Sequence, residues 1–219
     1  MRLTGTPDEL NRVLRGRFPD APEPPMNGAQ MLSYQMLALY GLARPFDCAA
    51  MSILEIGTGH GTSTYMLSKA TPAAQVVSLS LNKHEAAGAY RFLRLFQCGN
   101  VYVLVTRSDR YRLTYTDVLW DMVFVDGDHK HIIGDMPWWN QVRPGGTLEV
   151  KLPHWQSDVS YRDPTHYWQF SPYALHMFDP ETEYGREYAF YTTRKWKLVK
   201  GPLMNHAGSS IHCILQVVK

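Results

Sequence analysis

The chain has 219 residues, of which 45% are hydrophobic and 19% charged, and its formal net charge is +2. That length suits one well-buried core, because domains commonly run to about 100–200 residues. So small a charge excludes both a strongly basic nucleic-acid binder and an acidic solvating tail.

Residues 1–27 are polar and proline-rich, and they predict a short helix from Pro7 to Arg17 followed by an extended arm. Gly28 to Ala43 predicts a helix over one edge of the core. From Met51 the pattern alternates between strand and helix. Met51–Ile56 reads as a first strand stopped by glycine, and Thr62–Ala70 as the helix after it. Gln75–Ser80 is a second strand, Lys83–Phe96 a second helix and Val101–Val105 a third strand. Met122–Asp126 is a fourth strand, followed by a helix from His129 to Gln141. Pro144-Gly145-Gly146 predicts a turn into a fifth strand, Thr147–Leu152.

Strands near Glu187–Thr193, at Trp196–Val199 and from Ser210 to Val218 close the chain. The expected fold is therefore α/β: a Rossmann-like three-layer sandwich with a mostly parallel seven-stranded sheet and an antiparallel C-terminal strand. A single domain over 1–219 is expected, with an arm and helix at 1–45, a core at 50–152, an insert at 153–186 and closing strands at 187–219.

No apolar stretch approaches the ~18 residues that a membrane span needs. The first residues lack the apolar core of a signal peptide. Cys48, Cys98 and Cys213 are odd in number and show no CxxC spacing, which suits a reducing compartment. A cytoplasmic protein is expected.

The most informative segment is Glu55-Ile56-Gly57-Thr58-Gly59-His60-Gly61. Ligands of open parallel sheets sit outside the carboxyl ends of the strands. Glycine there permits unusual dihedrals and close approach to the main chain. A dinucleotide fingerprint, GxGxxG, would place its third glycine at position 62, which is Thr62. Glu55 stands two residues before Gly57, and a carboxylate is poor company for a pyrophosphate. It suits a ligand with an ammonium group, such as S-adenosylmethionine.

Glu55–Gly61 resembles the ExGxGxG motif of class I S-adenosylmethionine-dependent methyltransferases. Val123-Phe-Val-Asp-Gly-Asp-His129, with Asp135 and Arg143-Pro-Gly-Gly-Thr-Leu148, is similar to the small-molecule O-methyltransferase branch. The resemblance implies that Glu55, Gly57 and Gly59 surround the methionine moiety, with Thr58 and Gly61 also among the cofactor-binding residues. It also implies Asp109, beside Ser108, on the adenine side, and Asp126 near the transferred methyl group. The family's usual acid at the second strand tip, which grips the ribose, is absent from Ser78-Leu79-Ser80-Leu81-Asn82. Ser80 and Asn82 are the candidates to replace it.

Methyl transfer from a sulfonium requires alignment of the acceptor and removal of its proton. Asp126, His129 and His166 are the candidate catalytic residues, with Asp128, His154 and Asp163 nearby in sequence. Histidine titrates near neutrality and suits a general base. Relatives that use magnesium hold it with an Asp at the fourth strand tip and an acidic-amide pair after the fifth. Here Lys151-Leu-Pro-His154 occupies the second position, so no metal is expected.

The aromatic segment from Trp155 to Tyr173 suits either edge packing or the wall of an acceptor pocket. The expected partner is a small-molecule acceptor, such as a sugar or secondary metabolite, and a homo-oligomer is compatible with the sequence. The alternatives are a nucleic-acid methyltransferase and a non-catalytic cofactor-binding scaffold. Arg91, Arg94, Arg107, Arg110 and Arg112 give the former only a modest basic cluster.

Overall fold

The computed structural model describes residues 7–23, 25, 31, 33–127, 135–153, 183, 186, 196–204 and 210–217. The chain divides into two compact units, Thr4–Tyr111 and Arg112–Lys219 with Met1–Leu3.

In the first unit, helix α1 spans Pro7–Arg17 and α2 spans Ser33–Ala43. Three parallel strands follow in the order β3-β2-β1: β1 at Ser52–Ile56, β2 at Gln75–Ser80 and β3 at Val101–Val105. Each is short and carries several Val, Ile or Leu residues, and successive strands are joined by helices, α3 at Thr62–Ala70 and α4 at Lys83–Leu95. That alternation is what forces parallel pairing, since a parallel strand needs a crossover. Both helices pack on this sheet, α2 packs on α3, and α1 packs on α2. All of α3 except Lys69 is buried, so its neighbours enclose it on every side. A further helix, α5 at Ser108–Thr114, buries none of its residues.

At the amino ends of the strands, Asn100 ties the loops together. Its Nδ2 donates to the carbonyls of Thr71 and Ala74 at 2.8 and 2.9 Å.

The second unit contains β4 at Trp120–Val125, β5 at Val142–Pro153, β6 at Trp196–Met204 and β7 at Ser210–Val217. Their order is β4-β5-β7-β6. Strands β4 and β5 are parallel, whereas β7 runs antiparallel to both β5 and β6. The expected antiparallel C-terminal strand is thus β7. The described residues contain seven strands in all, within a Rossmann-like α/β architecture.

Three expectations need correction. The stretch expected to be helical up to Gln141 ends as a 3-10 helix, Met136–Gln141; Pro137 lacks the N–H that an α-turn would use. Residues 128–134 lie outside the described residues. The expected turn at Pro144-Gly145-Gly146 lies inside β5, which starts at Val142. Trp120 pairs with Val142 but Met122 pairs with Thr147, so the glycine stretch bulges out of the ladder. Gly145, at φ 85°, supplies the left-handed residue this bulge requires. Third, Ser108–Thr114 forms a helix that the sequence reading does not include. The expected strand at Glu187–Thr193 lies outside the described residues.

Gly146 is tightly enclosed. A Cβ there would lie 2.6 Å from the Asp121 carbonyl oxygen, 2.8 Å from Val142 Cγ1 and 3.0 Å from the Arg143 carbonyl oxygen. Backbone oxygens cannot rotate away as a side chain can. Gly146→Ala is therefore expected to cost about 1–3 kcal/mol of stability, measured by urea denaturation. A variant as stable as the parent would show that the bulge can open freely.

Candidate functional site

The glycine turn begins where β1 ends. Gly57, Gly59 and Gly61 all have positive φ, at 104°, 47° and 85°. A side chain at any of them would be strained, which explains three glycines in five residues. The amides of Gly57 and Thr58 both donate to the Leu79 carbonyl on β2, at 3.0 and 3.1 Å. Gly61 then caps α3, and the Tyr65 amide donates to its carbonyl at 2.8 Å. Gly59 and His60 are exposed at the tip of the turn. A Cβ at Gly59 would meet nothing within 4 Å, so the space beside the turn is open.

Beneath the turn lies a buried polar network. Glu55 is fully buried, and its Oε2 accepts from Thr64 Oγ1 at 2.5 Å and Ser78 Oγ at 2.6 Å. The Ser78 hydroxyl is also 2.7 Å from Thr58 Oγ1. A buried carboxyl group needs hydrogen bonds that replace its water. These hydroxyls from α3 and β2 do so, and they link Glu55 to the second residue of the turn. Of this network, the resemblance implies Glu55 and Thr58 as ligand neighbours. Thr64 and Ser78 went unnoticed, although a glutamate within a buried strand demands polar partners from whatever packs on it.

At the carboxyl end of β2, Ser80 Oγ donates to the Asn82 carbonyl at 3.1 Å. Asn82 serves as the N-cap of α4, its Oδ1 accepting from the His84 amide at 2.8 Å. Its Nδ2 lies 3.5 Å from Glu85 Oε1. The structure therefore brings an exposed carboxylate, which the sequence reading passed over, to the tip that lacks one.

Past β3, both Asp109 oxygens are engaged by Arg107, from Nε at 3.0 Å and Nη2 at 2.8 Å. The Arg107 hydrogen bond, helped by the Arg110 amide, holds the Asp109 carboxyl below the usual carboxylate range.

In the second unit, Asp126 follows β4. Its two oxygens each lie 3.0 Å from Lys151 Nζ on β5, and both side chains are nearly buried. His129 and His166, with Asp128, His154 and Asp163, lie outside the described residues. Among the described residues, no three His, Cys, Asp or Glu side chains gather to hold a metal ion. None of the described helices is long and apolar enough to cross a membrane.

A sequence profile for a methyltransferase-domain family matches residues 54–150. Among curated proteins, no sequence match is found. Solved structures share the fold. The O-methyltransferase TomG of Streptomyces achromogenes, solved with S-adenosylmethionine, superposes with a TM-score of 0.59 at 19% identity; the match covers all of this chain and 92% of TomG. An O-methyltransferase from Bacillus cereus, solved with S-adenosylhomocysteine, gives a TM-score of 0.58 at 19% identity, covering all of this chain and 93% of the other. An rRNA methylase from Streptococcus thermophilus gives 0.56 at 11% identity, covering 86% of this chain and 99% of the other.

Over residues 54–150 the chain is similar to a methyltransferase domain, and the fold it shares with the solved structures is Rossmann-like α/β. Glu55–Gly61 stands at the first strand-to-helix turn of this fold.

Proposed function

We propose that the protein transfers a methyl group from S-adenosylmethionine to a hydroxyl of a small molecule. The observation that carries this reading is the glycine turn: three left-handed glycines, open space beside Gly59, and a buried carboxylate braced beneath. The residues present fit the cofactor. The turn from Gly57 to Gly61 would receive the methionine moiety on its main chain. Ser80, Asn82 and Glu85 would face the ribose, and Asp109 the adenine. The cofactor, when bound, supplies an electrophilic methyl group.

Asp126, His129 and His166 are assigned to the acceptor side. An imidazole would take the hydroxyl proton as the acceptor oxygen attacks the methyl carbon in line with the breaking C–S bond. The acceptor is assigned as a sugar or secondary metabolite. The likeness to an rRNA methylase, with Arg91, Arg94, Arg107 and Arg110 exposed on α4 and around α5, supports RNA as the second reading. The Arg107–Asp109 pair weakens it, because a neutralised guanidinium adds little to a phosphate-binding surface.

Calorimetric titration with S-adenosylhomocysteine tests the cofactor assignment. Saturable binding is expected, and absence of binding would overturn the enzyme reading in favour of a scaffold. Glu85→Ala is expected to weaken that binding about tenfold without loss of stability. Unchanged affinity would remove Glu85 from the ribose. Assays of phenolic, sugar and RNA acceptors then separate the two substrate readings.

A further inference from the structure

We infer that the Lys151 ammonium is a built-in replacement for a divalent cation at Asp126, so that methyl transfer in this protein needs no metal ion. The inference rests on the methyltransferase reading above and deepens its acceptor side.

The donor set argues for it. Asp126 follows β4, and Lys151 lies on the neighbouring parallel strand β5, one step beyond the Val125–Val150 pair. Both therefore stand at the carboxyl ends of strands, where sheets of this kind bind ligands. Lys151 Nζ is 3.0 Å from each Asp126 oxygen, which places it across the chelating edge of the carboxylate. Magnesium would need to stand about 2.0–2.1 Å from a carboxylate oxygen, with further oxygen ligands around it. Here that approach meets an ammonium already in place. A second carboxylate would be the natural ligand from β5, but beside Asp126 the strand supplies a cation instead, its one glutamate, Glu149, pairing with Phe124 further back. Among the described residues, the Asp126 site does not fit a divalent metal.

Burial gives the pair its meaning. Lys151 is 7% exposed, and a charged lysine is rarely so enclosed without a partner. An ammonium has three N–H donors. Asp126 takes at most two of them, and Lys151 has no other partner among the described residues. The third is assigned to an acceptor oxygen. As that oxygen bonds to the methyl carbon, the C–S electron pair passes to sulfur and the hydroxyl proton to an imidazole. The products are the methyl ether, S-adenosylhomocysteine and a protonated base. A fixed ammonium beside the oxygen stabilises the negative charge that develops before the new bond is complete.

The test is Mn²⁺ titration, followed by electron paramagnetic resonance, on the full chain loaded with S-adenosylhomocysteine. The parent and Asp126→Asn are expected to bind Mn²⁺ equally poorly. A parent that binds one Mn²⁺ per chain, with the site lost in Asp126→Asn, would overturn the inference. Lys151→Glu restores a pair of carboxylates and is expected to bind Mn²⁺ at least about tenfold more tightly than the parent. A folded Lys151→Glu chain with no gain counts against it.

With any acceptor found in the screen above, turnover should be indifferent to EDTA. Lys151→Met should lower kcat about 100-fold with KM for S-adenosylmethionine unchanged, and Lys151→Arg should recover part of the loss. Inactivation by EDTA, or full kcat in Lys151→Met, would overturn the assignment. A chain that fails to bind S-adenosylhomocysteine removes the methyltransferase reading itself. One that binds it yet requires Mn²⁺ removes only the role of Lys151.

Discussion

Glu55→Ala is expected to destabilise the protein by about 3–5 kcal/mol, because it strands two buried hydroxyls and leaves a cavity. Thr64 Oγ1 and Ser78 Oγ both donate to Glu55 Oε2, and all three residues are fully buried. No water can take over the acceptor's place without entering the core. Urea denaturation measures the loss, and a change below about 1 kcal/mol would mean that the network relaxes around the gap. Glu55→Gln is the sharper companion. Its amide oxygen can still accept both bonds, so only the charge-assisted part should disappear, about 1–2 kcal/mol. If Glu55 acts by bracing the turn, Glu55→Gln should weaken S-adenosylhomocysteine only in proportion to that loss. A collapse of affinity at nearly full stability would instead place the carboxylate in contact with the ligand's ammonium.

The second large effect is expected at Gly61. Its φ of 85° lies in the left-handed region, and a Cβ would stand 3.1 Å from Ala89 Cβ and 3.3 Å from Ala89 Cα on α4. A β-branched residue is the least tolerant of that backbone. Gly61→Val is expected to lose about 3–4 kcal/mol, combining left-handed strain with overpacking against α4. S-adenosylhomocysteine binding should vanish with it. Gly59→Ala separates ligand from fold, since its Cβ points into open space. There the backbone alone should cost about 1–2 kcal/mol, while ligand affinity falls at least about tenfold if the ligand lies against the turn. Equal and small effects at both glycines would contradict the assigned geometry.

Much of the first unit was legible because its signals are local. The strand Val101–Val105 is an apolar run between Asn100 and Thr106, and α3 starts directly after Gly61. The glycine turn was legible for the same reason: its backbone requirement is written as residue type. Helix α5 was not, because it buries no residue and so carries no apolar periodicity. The length of β5 was hidden by Pro144-Gly145-Gly146, whose turn chemistry is used for a bulge within the strand. The partners of Glu55 were hidden by distance along the chain. Ser78 lies 23 residues away and Thr64 nine. Lys151 was read only as an absent carboxylate, because nothing local announces that its ammonium reaches Asp126.

The hydroxyl network has a direction. A carboxylate can only accept, so the Thr64 and Ser78 protons both point at Glu55. Ser78 has then spent its proton, and the 2.7 Å contact with Thr58 is closed only if Thr58 donates. Every hydrogen in the relay is thus committed inward, and the Thr58 oxygen keeps only lone pairs for anything that reaches the turn. A phosphate oxygen brought there would meet like with like, whereas an ammonium or hydroxyl hydrogen would meet an acceptor already oriented for it. Proton order inside the core thus fixes the Thr58 hydroxyl, with its hydrogen turned toward Ser78.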